Sequence, residues 1–512
     1  MKHSLKSLNS AFLVFYNHPR FFNIAVIALF FILSLIGILN HSMWRDELNV
    51  WTIVRDSSSF SDLLQNIKYE GHPALWYLCL YFLNFFTDNP LIMQFFHLAI
   101  ATSIITIFLL FSPFSRLQKL LFSFGYFPFY EYATISRNYS LYVLFAFVFC
   151  SLFKNRYKNF IALTILLVLM NNANAYGLLI SFVLFCALFA DLILLKHKLN
   201  HLTILSSIGI YGLGLYTSLF LLIPPLDSEL NGGLVKWNTF WNLHHFMKVL
   251  ARIWNSYILI LVPGDSKFWD VALYAIISLF ILIFFALSFI KKPIPLFIYG
   301  LGTIELLFFT YTKVLGSPRH YGSFYIILII AIWISFYYPS QPDRLQFAKQ
   351  FFTKAIAWVN RHKSKVLTLI LLVQLIAGVV AFSRNLIVPY SASRETANYI
   401  KNKALEDMFI VGSQDTVMTP ISGYLNRQIY YPESQDMGSF VLYNSHRDDV
   451  DRKETLAQTQ QLFNEKREEI LLILNYELDL FPEELSIEEI AKFTNSYIYN
   501  EKYYLYLVSL QE

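Results

Sequence analysis

Apolar runs of about 20 residues, enough helix to cross a bilayer core, recur from Phe21 to Phe382. Lipid offers no hydrogen bonds to the backbone, so each run must satisfy its own amides and is read as a helix. The composition agrees, with 56% hydrophobic and only 15% charged residues, and a mean hydropathy of +0.47. An ordinary soluble enzyme is excluded. The first run, Phe21–Asn40, is too long for a signal-peptide core and lacks a small-residue cleavage site, so it is read as a retained first helix. The expected fold class is an all-α polytopic membrane protein of about 11 to 13 transmembrane helices with a small external α/β C-terminal domain.

Charge sets the expected orientation. Net charge is +5, and the basic residues fall mainly between the apolar runs, which fits the positive-inside rule better than nucleic-acid binding. Lys2, Lys6 and Arg20 place the amino terminus in the cytoplasm. Arg116/Lys119, Lys154/Arg156/Lys158, Lys196/Lys198, Lys291/Lys292 and Arg344–Lys365 then mark cytoplasmic connections. External turns fall near Glu131–Ser140, Asn171–Asn174 and Lys313–His320, with a first external loop over 41–72 and a long one over 224–270. The last helix, about Val366–Phe382, runs outward. Ala74–Phe111 resists this alternation, because two short apolar segments meet at Asp88-Asn89-Pro90 where parity demands an odd number of crossings. Val249–Pro263, inside the long loop, suits an interfacial or re-entrant element.

The chain changes character after about residue 385. Residues 1–385 read as the membrane domain and 386–512 as an external domain. Within the latter, Met408–Gly412, Ile470–Leu474 and Tyr503–Val508 read as strands. Ser391–Tyr399 and Asp448–Glu469 read as helices, and Gly412–Gly423 as turn-rich. Asp415, Asp436 and Asp448–Asp451 are expected to be solvated surface. The three cysteines, Cys79, Cys150 and Cys186, all lie in apolar segments and offer neither a disulfide framework nor metal-ligand spacing.

The residues that suggest chemistry lie at external helix ends. Asp46 and Glu47 follow the first span; as helix neighbours they point about 100° apart and cannot chelate one ion together. The bland alternative is a solvated helix start beside Arg45. Gly71-His72-Pro73 comes one loop later, with Pro73 suited to a helix first turn and His72 just outside it, where an anion is favoured. Arg137, in the turn Glu131–Ser140, and Arg319, beside His320, share that face; either snorkels to head groups or binds phosphate bidentately. His244-His245 are adjacent and offer no i, i+4 metal pair. Trp237, Trp241, Trp254 and Trp269 in the long loop read as an aromatic belt or as a flap over a lipid chain.

Three of these features together resemble GT-C class glycosyltransferases: Asp46-Glu47, His72-Pro73-Ala74-Leu75 and Ser136-Arg137-Asn138-Tyr139. The resemblance covers roughly residues 15–385 and is strongest to the branch of protein O-mannosyltransferases, aminoarabinose transferases and lipopolysaccharide galacturonosyltransferases. It implies a sugar donor on a polyprenyl phosphate, a glycolipid, polysaccharide or protein hydroxyl as acceptor, and a bacterial inner-membrane location. It further implies Asp46 as general base and Glu47 as a residue that positions Asp46 or the acceptor. His72, Arg137, Arg319 and Arg45 would serve the donor phosphate, with Tyr139, His320 and Glu131 as weaker substrate contacts. Where some relatives carry an acid after the second external turn, this chain has Asn138-Tyr139-Ser140-Leu141-Tyr142, so no obligatory metal or other cofactor is expected. A lipid-linked sugar flippase and an inactive assembly protein are the rivals; Glu305 is the one clear acid deep in a span, as a transport path would need.

Overall fold

The computed structural model describes residues 18–229, 237–260, 267–340, 350–479 and 485–510. Lys2 and Lys6 lie outside them.

Among the described residues, seven helices are long and apolar enough to cross a membrane. They are α1 (Pro19–Asn40), α5 (Leu91–Phe111), α9 (Ala175–Leu194), α10 (His201–Leu222), α12 (Phe268–Phe289), α13 (Pro293–Thr312) and α15 (Gln350–Ile387). Between them pass α7 (Tyr139–Leu152), α8 (Phe160–Asn171) and α14 (Pro318–Ser335), together with α6 (Arg116–Ser123) and the π-helical turn Tyr126–Glu131 that continues it. The α6 pass has irregular backbone, which lipid forbids and protein permits; Phe127, Phe129, Tyr130 and Ala133 in it are all buried.

Two expectations change. The parity problem over Ala74–Phe111 resolves because α4 (Leu75–Asn84) has only 10 residues, too few to cross, while α5 has 21. The expected cytoplasmic segment Arg344–Lys365 is, from Gln350 onward, the first half of the 38-residue helix α15. Its charges obscured a helical run that carries no Gly or Pro over 350–377.

The first loop folds as two helices, α2 (Arg45–Asp56) and α3 (Phe60–Ile67). In the long loop, α11 (Leu243–Tyr257) buries Val249, Ile253 and Tyr257 on one face, as an interfacial helix does, while Trp241 and Trp269 stay exposed. It packs on α12 and α14.

Beyond α15 a six-stranded mixed sheet has the order β3-β2-β1-β4-β6-β5. The strands are β1 (Phe409–Ser413), β2 (Ile429–Tyr431), β3 (Asp436–Gly438), β4 (Ile470–Leu474), β5 (Leu485–Phe493) and β6 (Tyr503–Leu510). β1 runs parallel to β2 and β4, and the other pairings are antiparallel. Every residue of β4 is buried, since helices cover both sheet faces. α16 (Ser393–Asn402) and α17 (Asp415–Leu425) cover one face and α18 (Arg452–Lys466) the other. The turn-rich reading of Gly412–Gly423 fails: Pro420 and Gly423 lie inside α17. Gly423 is needed for approach rather than for a turn, because a Cβ there would stand 3.2 Å from the Leu48 side chain of α2. Asp415 is likewise not solvated. It is buried and paired with Arg447 at 2.7 Å, while Asp451 caps α18 through Glu454 N–H at 2.9 Å.

Candidate active site

The end of α1, the first turn of α2, the loop before α4, the turn before α7 and the first turn of α14 converge on Asp46. Trp44 has extended backbone and precedes α2, and the Glu47 side chain reaches back to its N–H at 3.3 Å, closing the helix start. Helix geometry then sends the two acids apart. The partly buried Asp46 accepts a hydrogen bond from Arg319 Nη2 at 2.7 Å through Oδ2. The fully buried Glu47 accepts one from the Ser136 backbone N–H at 2.6 Å and bonds His41 Nε2 at 2.8 Å, and that ring also meets Asn385 Oδ1 at 3.2 Å. Glu47 therefore faces away from the Asp46 carboxylate. It ties α2 to the turn that carries Arg137.

Arg137 reaches back in turn. Its Nη1 donates to the Asp46 backbone carbonyl and its Nη2 donates to His72 Nε2 at 3.2 Å. Gly71 at φ 64° makes the bend that delivers His72, a conformation glycine adopts without strain. Below the turn, His97 of α5 sits between the carbonyls of Ala133 and Arg137, 3.2 Å from each, with the Ser140 hydroxyl 2.7 Å away. Sequence reasoning missed His97 because a lone histidine in an apolar span looks like core.

The charges act on one another. Burial pushes the Asp46 carboxyl up, but Arg319, then Arg137 and Arg45, outweigh it and hold it below the usual carboxylate range. Burial, reinforced by Arg137, takes His72 down to about 3, so it is a neutral acceptor for the Arg137 N–H at neutral pH. The resemblance implies His72 at the donor phosphate; with Nε2 taken by Arg137, Nδ1 is the ring atom left for such a contact. Four donors around Asp46 lack hydrogen-bond partners among the described residues: Arg137 Nε, Arg319 Nε, Trp44 Nε1 and, since Nε2 accepts from Arg137, His72 Nδ1. The Trp44 ring lies beneath both Arg45 and Arg319, with guanidinium carbons 5.5 and 5.2 Å from its centroid.

Glu70, two residues before His72, also enters the site. It accepts from Asn49 Nδ2 at 3.0 Å and from the Tyr77 hydroxyl at 3.3 Å. Burial raises its carboxyl to about 7 against the pull of Arg137.

The remaining expected residues are placed as follows. Arg45 turns to the sheet domain, its backbone N–H donating to Glu501 Oε1 at 3.2 Å. Tyr139 and His320 form an aromatic wall, edge to face at 5.7 Å, with Tyr176 alongside. His320 Nδ1 also accepts from Ser317 N–H at 2.8 Å and so starts α14. Glu131 accepts from the Tyr126 hydroxyl at 2.7 Å, away from Asp46. His245 bonds the Tyr311 carbonyl at 2.9 Å and His244 stacks on Phe268. No three His, Cys, Asp or Glu residues stand close enough to hold a metal ion among the described residues.

The sheet domain closes the site from above. Asn49 Oδ1 accepts from Val441 N–H at 2.9 Å, Ser439 bonds Asp56, and Arg55 reaches Asn426 at 2.8 Å. Tyr390, in the link between α15 and α16, packs against His41 at 4.9 Å and Trp44 at 5.6 Å.

No family model and no curated protein matches the sequence. Among solved structures, the crystal structure of ArnT from Cupriavidus metallidurans bound to undecaprenyl phosphate superposes with a TM-score of 0.50 at 12% identity, covering 94% of this chain and 97% of that one. The apo-state structure of that ArnT gives 0.46 at 12% identity over the same shares, 94% and 97%. At such identity the likeness speaks to architecture alone, and there it spans both the membrane helices and the sheet domain. The chain has the GT-C fold, the fold of this ArnT.

Proposed function

We propose that the protein is a membrane glycosyltransferase that moves a sugar from a polyprenyl-phosphate donor to an acceptor hydroxyl at the face carrying Asp46. One observation carries this reading: an ionised, partly buried carboxylate flanked by two arginines whose Nε–H groups are unbonded among the described residues. The ArnT that shares the fold was crystallised with undecaprenyl phosphate, which supports a lipid phosphate as the leaving group.

Asp46 takes the proton of the acceptor hydroxyl as its oxygen attacks the anomeric carbon. The bond from that carbon to the phosphate oxygen breaks, and its electron pair leaves with the polyprenyl phosphate, inverting the sugar. Arg137 and Arg319 supply fixed positive charge where the leaving oxygen becomes anionic. The arriving phosphate competes with Asp46 for Arg319. Each step of that exchange restores basicity to Asp46, so the base is strongest when the donor is in place. His72 and Glu47 hold Arg137 in position, one through its guanidinium and the other through its turn. Tyr139 and His320 wall the sugar side.

On this reading the protein lies in a bacterial inner membrane with its amino terminus cytoplasmic and the sheet domain outside. The acceptor is a glycolipid, a polysaccharide or a protein hydroxyl, and the chemistry calls for no metal or other cofactor. The test offers purified protein in nanodiscs a panel of polyprenyl-phosphate sugars with envelope extract. Release of free polyprenyl phosphate is the expected result. Movement of intact lipid-linked sugar between leaflets, without release, would favour the transporter instead.

A further inference from the structure

At the membrane end opposite Asp46, a cavity of about 180 Å³ opens between the ends of α12, α13 and α14 and the flank of α15. α14 carries Arg319 at its start and Ser335 at its end, so the two sites are about 24 Å apart at 1.5 Å per residue. Lys292 and Lys363 line the cavity, and no carboxylate does among the described residues. Lys292 Nζ donates to the Ser335 carbonyl at 2.5 Å, and Lys363 Nζ donates to Asn360 Oδ1 at 3.0 Å. Burial, then the charge of Lys363, pushes the Lys292 amine below its usual range. Both amines thus face one cavity, and no carboxylate lines it among the described residues.

The surrounding sequence supplies none. Stretches 112–120, 288–295 and 350–367 contain Arg116, Lys119, Lys291, Lys354, Arg361 and Lys365 but no Asp or Glu. Basic residues at span ends are ordinary under the positive-inside rule and need no ligand. A walled cavity is not ordinary. Its floor is apolar, with Phe285, Phe289 and Leu367, and Phe336 at its edge is 59% exposed, an aromatic ring presented toward the bilayer.

We propose that this cavity binds the phosphate headgroup of an anionic glycerophospholipid, held between Lys292 and Lys363 with its glycerol and upper acyl chain on Phe289 and Phe336. An anionic diester has one negative charge and two unesterified oxygens, enough to bridge the two amines and offset part of their charge, and an apolar floor suits a chain-bearing anion better than a free one. The assignment is independent of the chemistry at Asp46.

Native mass spectrometry of the full-length protein, titrated with phosphatidylglycerol and with phosphatidylcholine of the same chains, tests it. Wild type should retain phosphatidylglycerol in preference, and millimolar inorganic phosphate should not displace it. The K292Q/K363Q variant should bind about thirtyfold more weakly, whereas K291Q/K365Q, with the same loss of charge outside the cavity, should match wild type. Lys363→Gln alone gives the same direction of effect if the loss of the Lys292–Ser335 bond disturbs α14. Equal weakening in both double variants, absence of headgroup preference, or displacement by phosphate would each overturn the proposal.

Discussion

His72 is held as an acceptor, and this separates two chemistries. If it serves by orienting Arg137, a side chain with an acceptor at the same place should serve too. His72→Gln should then keep most of the activity. His72→Ala should lose about 10- to 100-fold, the worth of a hydrogen bond to a charged donor, and His72→Lys should be worst because it repels Arg137. A cationic role at the phosphate would invert that order and make lysine the best replacement. Glu70 gives the complementary test. Its carboxyl titrates at about 7, so it is protonated below that pH and ionised above it. Ionisation places a second negative charge beside Arg137, in competition with the donor phosphate. Turnover should therefore fall as pH rises through about 7, and Glu70→Gln should flatten that limb while leaving the rate at pH 6 nearly unchanged. An unaltered profile in Glu70→Gln would remove Glu70 from the site. The sequence disclosed the site in part. Asp46, His72, Arg137 and Arg319 do converge, because each stands at a helix end of the same face. Helix spacing already set Glu47 apart from Asp46, but its partner and the role of the lone His97 escaped the sequence, since Ser136 N–H and the Ala133 carbonyl are backbone groups from distant sequence.

At the scale of elements, α2 is the piece that everything else positions. Its links to the Arg137 turn run through the buried Glu47 carboxylate and through the Asp46 carbonyl, to which Arg137 donates. Losing the Glu47 carboxylate leaves the buried Ser136 N–H and the His41 ring without that partner, at about 1 to 3 kcal/mol for each group left unsatisfied, so Glu47→Ala should lower the thermal midpoint and the activity together, whereas Arg45→Gln should do neither strongly. The second support is the contact of α17 with Leu48. Gly423→Val forces a branched side chain into that contact, and overpacking of this kind costs about 1 to 3 kcal/mol. Limited proteolysis should then release the sheet domain faster than in wild type, with the membrane helices still folded. The long spans were plain from their apolar runs, as were β1, β4 and β6. α17 and β5 were not. Pro420 and Gly423 carry turn signals that tertiary packing overrides, and Leu485–Phe493 mixes acids and a lysine into a strand that sits at the sheet edge.

For the whole molecule, the arrangement joins the helices around Asp46 to the sheet domain. The sheet domain reaches the site through Val441 on Asn49, Glu501 on Arg45 and Tyr390 on Trp44, and under the proposed function it walls the acceptor side. The central claim is that Asp46 is the base and the arginines around it belong to the phosphate. Turnover and donor binding must therefore separate in one substitution. The decisive measurement compares wild type with Asp46→Asn for two quantities: the rate of polyprenyl-phosphate release from the active donor, and the Kd for polyprenyl phosphate itself. Loss of a general base predicts release slower by about 10² to 10⁴, with binding unchanged or tighter because Arg319 no longer has a carboxylate to hold. Release at the wild-type rate, or binding lost in step with turnover, would contradict the account.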